Sequence, residues 1–256
     1  MEKVIIIIFG LIVGSFLNVV IHRLPREQSI VIPGSHCPSC NTPIHFYDNI
    51  PVLSFLILMG KCRRCKARIS MRYPLVELFT AFSFWLPYHF YFEELPVYAG
   101  FCVVFLCLLI ALALIDLEHQ LLPDELTLGG AVVFLIYAFF NPMVTPIAAI
   151  AASFGSALLF AGLYFFYLKV RKIEGLGQGD IKMMLLLGAF LGPDRLVIAV
   201  LLASFAGLLV GLFFIIFKGK NLKLKLPFGT FLSLGSYISL FWGHHIFDAI
   251  QSLYRI

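Results

Sequence analysis

A stretch of twenty uncharged residues decides the fold class of this chain. It runs from Pro96 to Ile115 and, with the aspartate that follows it, reads PVYAGFCVVFLCLLIALALID. A helix of about 20 apolar residues is long enough to cross the hydrocarbon core of a bilayer. The whole chain has the same character, because 61% of its 256 residues are hydrophobic and only 13% are charged. This composition predicts an integral membrane protein and excludes disordered chains, coiled coils, disulfide-rich secreted domains and soluble enzymes.

Other apolar runs suggest several more membrane spans. Two of them, Leu126–Phe140 and Met183–Gly192, are shorter than a usual span and are each followed by a proline within two residues. Their length leaves open whether they cross the membrane. The runs of sufficient length are Val4–Ile21, Pro74–Phe92, Pro96–Ile115, Ile147–Leu168, Leu196–Phe217 and Phe228–Phe247.

The distribution of positive charge decides the topology. Residues 23–73 carry eight Lys and Arg, while residues 169–182 and 218–225 carry four each, out of 19 in the chain. Cytoplasmic loops are enriched in these residues, and the three stretches share one side only if both short runs also cross. We therefore expect eight transmembrane helices with both termini outside, and we assign the net charge of +5 to topology rather than to nucleic-acid binding. The expected domains are a first helix at residues 1–22, a cytoplasmic loop at 23–73 and a seven-helix membrane domain at 74–256.

Four cysteines in the long loop have the spacing of a metal site. They form two C-x-x-C pairs separated by 21 residues. Four thiolates close a tetrahedral site and can fold a loop too small for its own core, so we expect a structural zinc in a zinc-ribbon-like loop domain. Two disulfides or two redox pairs are the alternative, which a reducing cytoplasmic location disfavours. The four residues are Cys37, Cys40, Cys62 and Cys65, with Lys61, Arg63, Arg64 and Lys66 placed to offset their charge.

Two aspartates stand at predicted cytoplasmic helix ends. Asp116 ends the third span, and Asp180 ends a glycine-rich stretch that contains Gly177 and Gly179. Ionisable groups at membrane depth are costly and indicate function. If their helices are neighbours, the two carboxylates can share a proton and act as an aspartic-protease dyad. Glycine would give the backbone room for an extended substrate and unusual conformations. An ion pathway remains the alternative, because spacing alone does not show contact.

Several motifs together resemble a known family, the type IV prepilin peptidases. These are bifunctional leader peptidases and N-methyltransferases of bacterial pilus and type II secretion systems. The match spans nearly the whole chain, and the cysteine loop with the first-helix motif indicates the bifunctional branch. The motifs are GSFLNVVIHRLP at residues 14–25, the paired C-x-x-C loop, ISMRYPLVE at 69–77, Ile115–Asp116 through LPD at 122–124, GQGDIK at 177–182 and PFG at 227–229.

The resemblance implies an enzyme and its catalytic residues. It places the two catalytic aspartates at Asp116 and Asp180, whereas we read Asp124 as a helix-start residue. It implies cleavage of a basic leader after a glycine in prepilins and pseudopilins at the inner membrane, followed by methylation of the new amino terminus from S-adenosylmethionine. As a weaker hypothesis, acidic residues would bind the basic leader: Glu118, Asp124, Glu125 and Glu174.

The binding residues for S-adenosylmethionine are not predicted by the sequence. The chain has no GxGxxG motif followed by an acidic residue. Glu77 either pairs with Arg72 structurally or contacts the cofactor. Asn18 and His22 lie four residues apart on one helix face, and the same two roles are open for them. Three other readings stay open: a peptidase without methyltransferase activity, a channel or transporter using the aspartates as ion ligands, and a zinc-anchored scaffold.

Overall fold

The computed structural model describes residues 1–172, 177–218 and 226–254, and this part of the chain is all-helical. It contains two isolated backbone bridges and no longer β-pairing. The predicted all-α class is confirmed. The helices are α1 Glu2–Arg23, α2 Leu53–Ile57, α3 Arg72–Tyr91, α4 Pro96–His119, α5 Asp124–Tyr137, α6 Pro146–Arg171, α7 Gln178–Lys218 and α8 Phe228–Tyr254.

Four of these helices are long and apolar enough to cross a membrane: α1, α4, α6 and α7. Helices α3, α5 and α8 also form at predicted runs, although α5 ends at Tyr137, three residues before the predicted end at Phe140. The chain is therefore a multi-pass helical membrane protein.

The helix α7 is divided by a break at Gly192. This residue has φ 70° and ψ −178°, a backbone conformation that side-chain-bearing residues rarely adopt. Pro193 follows and has no N–H to donate to the helix. A Cβ at Gly192 would also lie 2.8 Å from a methyl of Val144. The break separates residues 178–191 from 193–218, where the sequence predicts the end of one apolar run.

The first of two compact units, Met1–Ala111, is built on close packing of α1 against α3. A Cβ at Gly10 would lie 2.6 Å from the Cα of Ala81, and a Cβ at Gly14 would lie 2.7 Å from the Cα of Glu77. Both distances are shorter than real contacts allow. This G-x-x-x-G pair therefore lets two backbones approach as small residues do in membrane helices.

The second unit, Leu112–Ile256, is built around α7, which contacts α5, α6 and α8. A Cβ at Gly188 would lie 2.5 Å from the backbone nitrogen of Ser153 on α6. The Ser153 hydroxyl donates a 2.7 Å hydrogen bond to the carbonyl of Leu185. Small residues thus hold α6 and α7 in contact and satisfy a buried hydroxyl within the bundle. The sequence predicts domain boundaries after residues 22 and 73, where the chain is expected to leave and re-enter the membrane. These boundaries stay a prediction.

Candidate active site and metal centre

Asp116 is a buried carboxylate in the last turn of α4. It is 6% exposed, and its Oδ2 accepts a 2.7 Å hydrogen bond from the backbone N–H of Thr230 at the start of α8. The Thr230 hydroxyl lies 3.2 Å from the same oxygen and 2.9 Å from the carbonyl of Ala113. The first turn of α8 therefore fixes the position of this carboxylate, because the N–H groups at a helix start have no partner within the helix.

Asp180 is the second buried carboxylate and lies in the first turn of α7. It is 7% exposed. Its Oδ2 accepts a 3.0 Å hydrogen bond from the N–H of Gly177, and its own N–H donates to the Gly177 carbonyl at 3.1 Å. A carboxylate that reaches back to the residue before a helix resembles half of a capping box, and negative charge is favourable at a helix start. The aspartate thus caps its own helix while it occupies the site.

Leu122 is wedged between glycines beside both carboxylates. A Cβ at Gly179 would lie 3.0 Å from the Cβ of Leu122, and a Cβ at Gly229 would lie 3.0 Å from Leu122 methyls and from Asp116 Oδ2. A Cβ at Gly177 would lie 3.1 Å from Asp180 Oδ2. Glycine here supplies room. The expectation of unusual backbone conformations at Gly177 and Gly179 stays a prediction, and Gly179 has no positive φ in this structure.

The structure places the two predicted aspartates around one side chain, that of Leu122. Gly179, adjacent to Asp180 in the chain, and Gly229, which lies against Asp116, both pack against it. Both carboxylates are buried in the same compact unit, and they accept hydrogen bonds from groups at the starts of α7 and α8. Two such acids in a site of low polarity can hold one proton between them, which is the chemical requirement for paired acid–base work.

Asp124 occupies the place of a helix-start residue, as predicted. It begins α5, with Glu125 following in the first turn. Its carboxylate is exposed and forms a 2.6 Å ion pair with Lys182. Glu118 and Glu125 are also exposed, and Glu118 lies 4.0 Å from the ring of His119. Glu174 lies outside the described residues.

The four loop cysteines form one cluster. Their sulfurs all lie within 4.8 Å of one another, and Cys37 and Cys65 are 3.8 Å apart. A tetrahedral site with metal–sulfur bonds of about 2.3 Å places neighbouring sulfurs about 3.8 Å apart. None of these four forms a disulfide, nor do Cys102 and Cys107 in α4. The cluster therefore fits a metal ion with four sulfur ligands.

The two cysteine pairs have the same backbone geometry 25 residues apart. The N–H of Cys37 donates to the Thr42 carbonyl, and the N–H of Cys62 donates to the Ala67 carbonyl, both at 2.9 Å. The fifth residue of each turn, Asn41 and Lys66, has a positive φ. Each pair is thus a preformed knuckle that presents two sulfurs to one point.

The cationic neighbours of the cysteines have other partners. Arg63 forms a bidentate ion pair with Asp48, at 2.6 Å for the shortest contact, and holds the pKa of that carboxyl below its usual value. Arg64 donates to the Thr42 hydroxyl at 3.1 Å. Hydrogen bonding from Thr42 in turn lowers the pKa of the Cys40 thiol to about 6, which favours the thiolate. The Thr42 hydroxyl therefore links Arg64 to the sulfur of Cys40, whereas Arg63 stabilises the loop through its ion pair with Asp48.

Glu77 supports a strained turn in the loop. Its Oε2 accepts a 2.7 Å hydrogen bond from the N–H of Val52. Val52 has φ 60°, which is unusual for a β-branched residue. Glu77 thus makes a structural bond to the backbone of the loop, and whether it also contacts the cofactor stays a prediction. Asn18 donates to the carbonyls of Gly14 and Tyr73, so it links α1 to α3.

Comparisons with known proteins identify two matching family models. Residues 8–91 match the bacterial peptidase A24 N-terminal domain, and residues 103–212 match the type IV leader peptidase family. Relatives named prepilin leader peptidase/N-methyltransferase include one from Aeromonas salmonicida, 37% identical over 94% of this chain and 91% of the relative. Those from Pseudomonas aeruginosa and Legionella pneumophila are 37% and 36% identical over 94% of this chain and 90% and 91% of their own lengths. No solved structure matches the chain significantly.

Proposed function

The chain belongs to the type IV leader peptidase family, and from this membership we propose that it cleaves the leader of prepilins and then methylates the new amino terminus. The burial of Asp116 and Asp180 around Leu122, at the ends of two helices of one compact unit, is the observation that supports the peptidase assignment. Prepilins and pseudopilins are the proposed substrates.

The peptidase step follows from two carboxyl groups that share one proton. The ionised carboxylate takes a proton from a water molecule, and the resulting hydroxide attacks the scissile carbonyl. The protonated partner donates a hydrogen bond to the carbonyl oxygen as negative charge develops there. The proton taken from water then passes to the leaving nitrogen. Hydrogen bonds from Thr230 and Gly177 hold the carboxylates of Asp116 and Asp180 in place during these steps.

The proposed topology places this chemistry at the cytoplasmic face of the inner membrane. The break at Gly192 supports eight crossings, because it makes two helical segments of α7. The fourteen residues of α5 rise about 21 Å, which is less than the hydrocarbon thickness, so the crossing of α5 is proposed from the charge distribution rather than from its length. With an odd number of crossings before each of them, the basic stretches 23–73 and 169–182 lie in the cytoplasm. Asp116 at the end of α4 and Asp180 at the start of α7 then face the same side as those stretches.

The methyltransferase step requires a bound methyl donor. S-adenosylmethionine would supply an electrophilic methyl group to the free amine that cleavage produces. The amine must be neutral to accept the methyl group, so its proton has to leave before transfer. Of the open alternatives, a peptidase without methyltransferase activity is disfavoured by relatives whose names include both activities.

We assign the four-sulfur cluster to a structural zinc ion. Cys37, Cys40, Cys62 and Cys65 would be the ligands, since four thiolates leave no open coordination position for catalysis. The ion would join two halves of a loop that has little apolar core of its own.

Acidic residues near the site would bind the basic leader. Glu118 and Glu125 are exposed carboxylates close in sequence to the site residues Asp116 and Leu122. Asp124 is less available, because it pairs with Lys182. Charge reversal at Glu118 and Glu125 should slow cleavage of a basic leader more than that of a neutralised leader.

Cleavage of a purified prepilin in detergent tests the proposal. The wild-type chain should remove the leader and add a methyl group, both read by mass spectrometry. Asp116→Asn and Asp180→Asn should abolish leader removal, whereas Asp194→Asn, at an exposed aspartate beyond the break at Gly192, is the matched control and should retain it. Normal cleavage by either of the first two variants would rule out the dyad. Ion flux without cleavage by the wild-type chain in vesicles would favour a transporter instead.

A further inference from the structure

A cleft between α1 and the cysteine loop has the size of a small-molecule site. Its volume is about 330 Å³, within the range of ligand pockets. One side is a stripe of α1 at helical spacing, formed by Ile12, Ser15, Phe16, Val19 and Arg23. The opposite side consists of residues 30–35 together with Asn49 and Pro51 of the loop. The whole cleft lies within the first compact unit.

Arg23 places a buried positive charge at this cleft. It is 8% exposed and donates hydrogen bonds to three backbone carbonyls, those of Ser29, Pro33 and Gly34. In the part of the chain that the structure describes, no carboxylate forms a salt bridge with it. Carbonyl dipoles solvate a guanidinium without neutralising it, and buried charges are otherwise paired. The cleft is therefore suited to a ligand with an anionic group.

The loop wall of the cleft is held in place by contacts with neighbouring parts of the loop and with α3. The Ser35 carbonyl accepts a 2.8 Å hydrogen bond from the N–H of Ile44, which follows the first cysteine knuckle. Asp48, beside Asn49, is clamped by Arg63 in the second knuckle. Glu77 of α3 also holds the Val52 turn, which follows Pro51 of the cleft. The metal cluster and the buried Glu77 thus fix the shape of this cleft.

We propose that this cleft between α1 and the cysteine loop binds the methyl donor S-adenosylmethionine, with Arg23 facing its carboxylate. The proposal rests on the methyltransferase activity proposed above. Serine and asparagine side chains on both walls offer hydrogen bonds to amino and hydroxyl groups, while Phe16, Ile30 and Val31 offer apolar surface to the adenine. The paired C-x-x-C loop then serves methyl transfer by holding the walls of the donor site.

Calorimetry with S-adenosylhomocysteine on the full-length chain in detergent tests the assignment without any turnover. Val19→Phe adds volume inside the cleft and should raise the Kd at least about tenfold. Val4→Phe is the matched control, because Val4 lies on the same helix, is 60% exposed and does not line the cleft. It should leave the Kd within about twofold of wild type. An unchanged Kd in Val19→Phe would overturn the proposal.

Two measurements on the wild-type chain do not depend on any variant. S-adenosylhomocysteine should bind about tenfold more tightly than 5′-methylthioadenosine, which lacks the carboxylate, and equal affinities would contradict the role of Arg23. Hydrogen exchange should slow in residues 30–35 and 48–52 when S-adenosylhomocysteine is bound, and protection confined to other segments would place the site elsewhere.

The remaining outcomes separate this inference from the proposed function. If the wild-type chain methylates cleaved prepilin while Val19→Phe binds S-adenosylhomocysteine normally, the function stands and the site is wrong. If the wild-type chain neither binds nor methylates, the methyltransferase half of the function fails. If native mass spectrometry finds phosphatidylglycerol lost from Val19→Phe and no S-adenosylhomocysteine bound to wild type, the cleft is a lipid site and the inference is overturned.

Discussion

Thr230 donates its backbone N–H to Asp116 Oδ2 at 2.7 Å, across 114 residues of sequence. The Thr230 hydroxyl reaches the same carboxylate and the Ala113 carbonyl, so this one residue ties the start of α8 to the end of α4.

Removal of the Thr230 hydroxyl should weaken cleavage without abolishing it. Thr230→Val keeps the backbone bond to Asp116 but loses the side-chain bonds, so we expect kcat to fall about fivefold, as for the loss of one hydrogen bond. Ser233→Ala is the control on the same helix, because the buried Ser233 hydroxyl has no hydrogen-bond partner in the structure as described. Equal losses of activity in the two variants would contradict a specific role of the Thr230 hydroxyl at Asp116.

The glycines around Leu122 should not tolerate even a methyl group. Gly179→Ala would place a Cβ 3.0 Å from the Leu122 Cβ, and the shift needed to relieve it would displace the first turn of α7 with Asp180. We expect leader cleavage to fall by at least about tenfold, because misplaced catalytic groups are costly. Gly162→Ala in α6, where a Cβ meets nothing within 4 Å, should cleave normally. Equal rates for the two variants would show that the crowding at Leu122 is not functional.

Metal removal should open the cysteine loop. Cys62→Ser should reduce bound zinc from about one ion per chain to a small fraction, as measured by elemental analysis, since four ligands form the site. Tryptic cutting within residues 61–68 should then accelerate about tenfold, because protease attack reports local opening. Cys107→Ser in α4 is the control and should retain both zinc and resistance. Full resistance in metal-free Cys62→Ser would mean that the loop folds by its own hydrogen bonds.

The contact of α6 with α7 should fail when Gly188 acquires a side chain. Gly188→Ala would place a Cβ 2.5 Å from the backbone nitrogen of Ser153. Backbone cannot move aside cheaply, so overpacking by about 1–3 kcal/mol should lower the unfolding temperature and the yield of monodisperse protein. Gly155→Ala on α6, with open space at its Cβ, should unfold at the wild-type temperature. An unchanged melting temperature for Gly188→Ala would contradict this packing.

Local chemistry made much of the site predictable. The C-x-x-C spacing anticipated the sulfur cluster, because two cysteines in one tight turn can face only one point. Asp116 and Asp180 were identifiable because carboxylates are expensive at the ends of apolar helices. The position of Asp124 followed from the preference of acidic residues for a helix start.

The sequence by itself determined the helical membrane class, since apolar length and composition are properties of the chain alone. Only the tertiary structure decided that Leu122 and Thr230 adjoin the aspartates, that Glu77 bonds Val52, and that Arg63 pairs with Asp48. These contacts join segments far apart in sequence, and their geometry depends on how closely helices approach. That approach is set by packing of small residues such as Gly14 and Gly188, whose effect no local pattern of hydrophobicity or charge encodes.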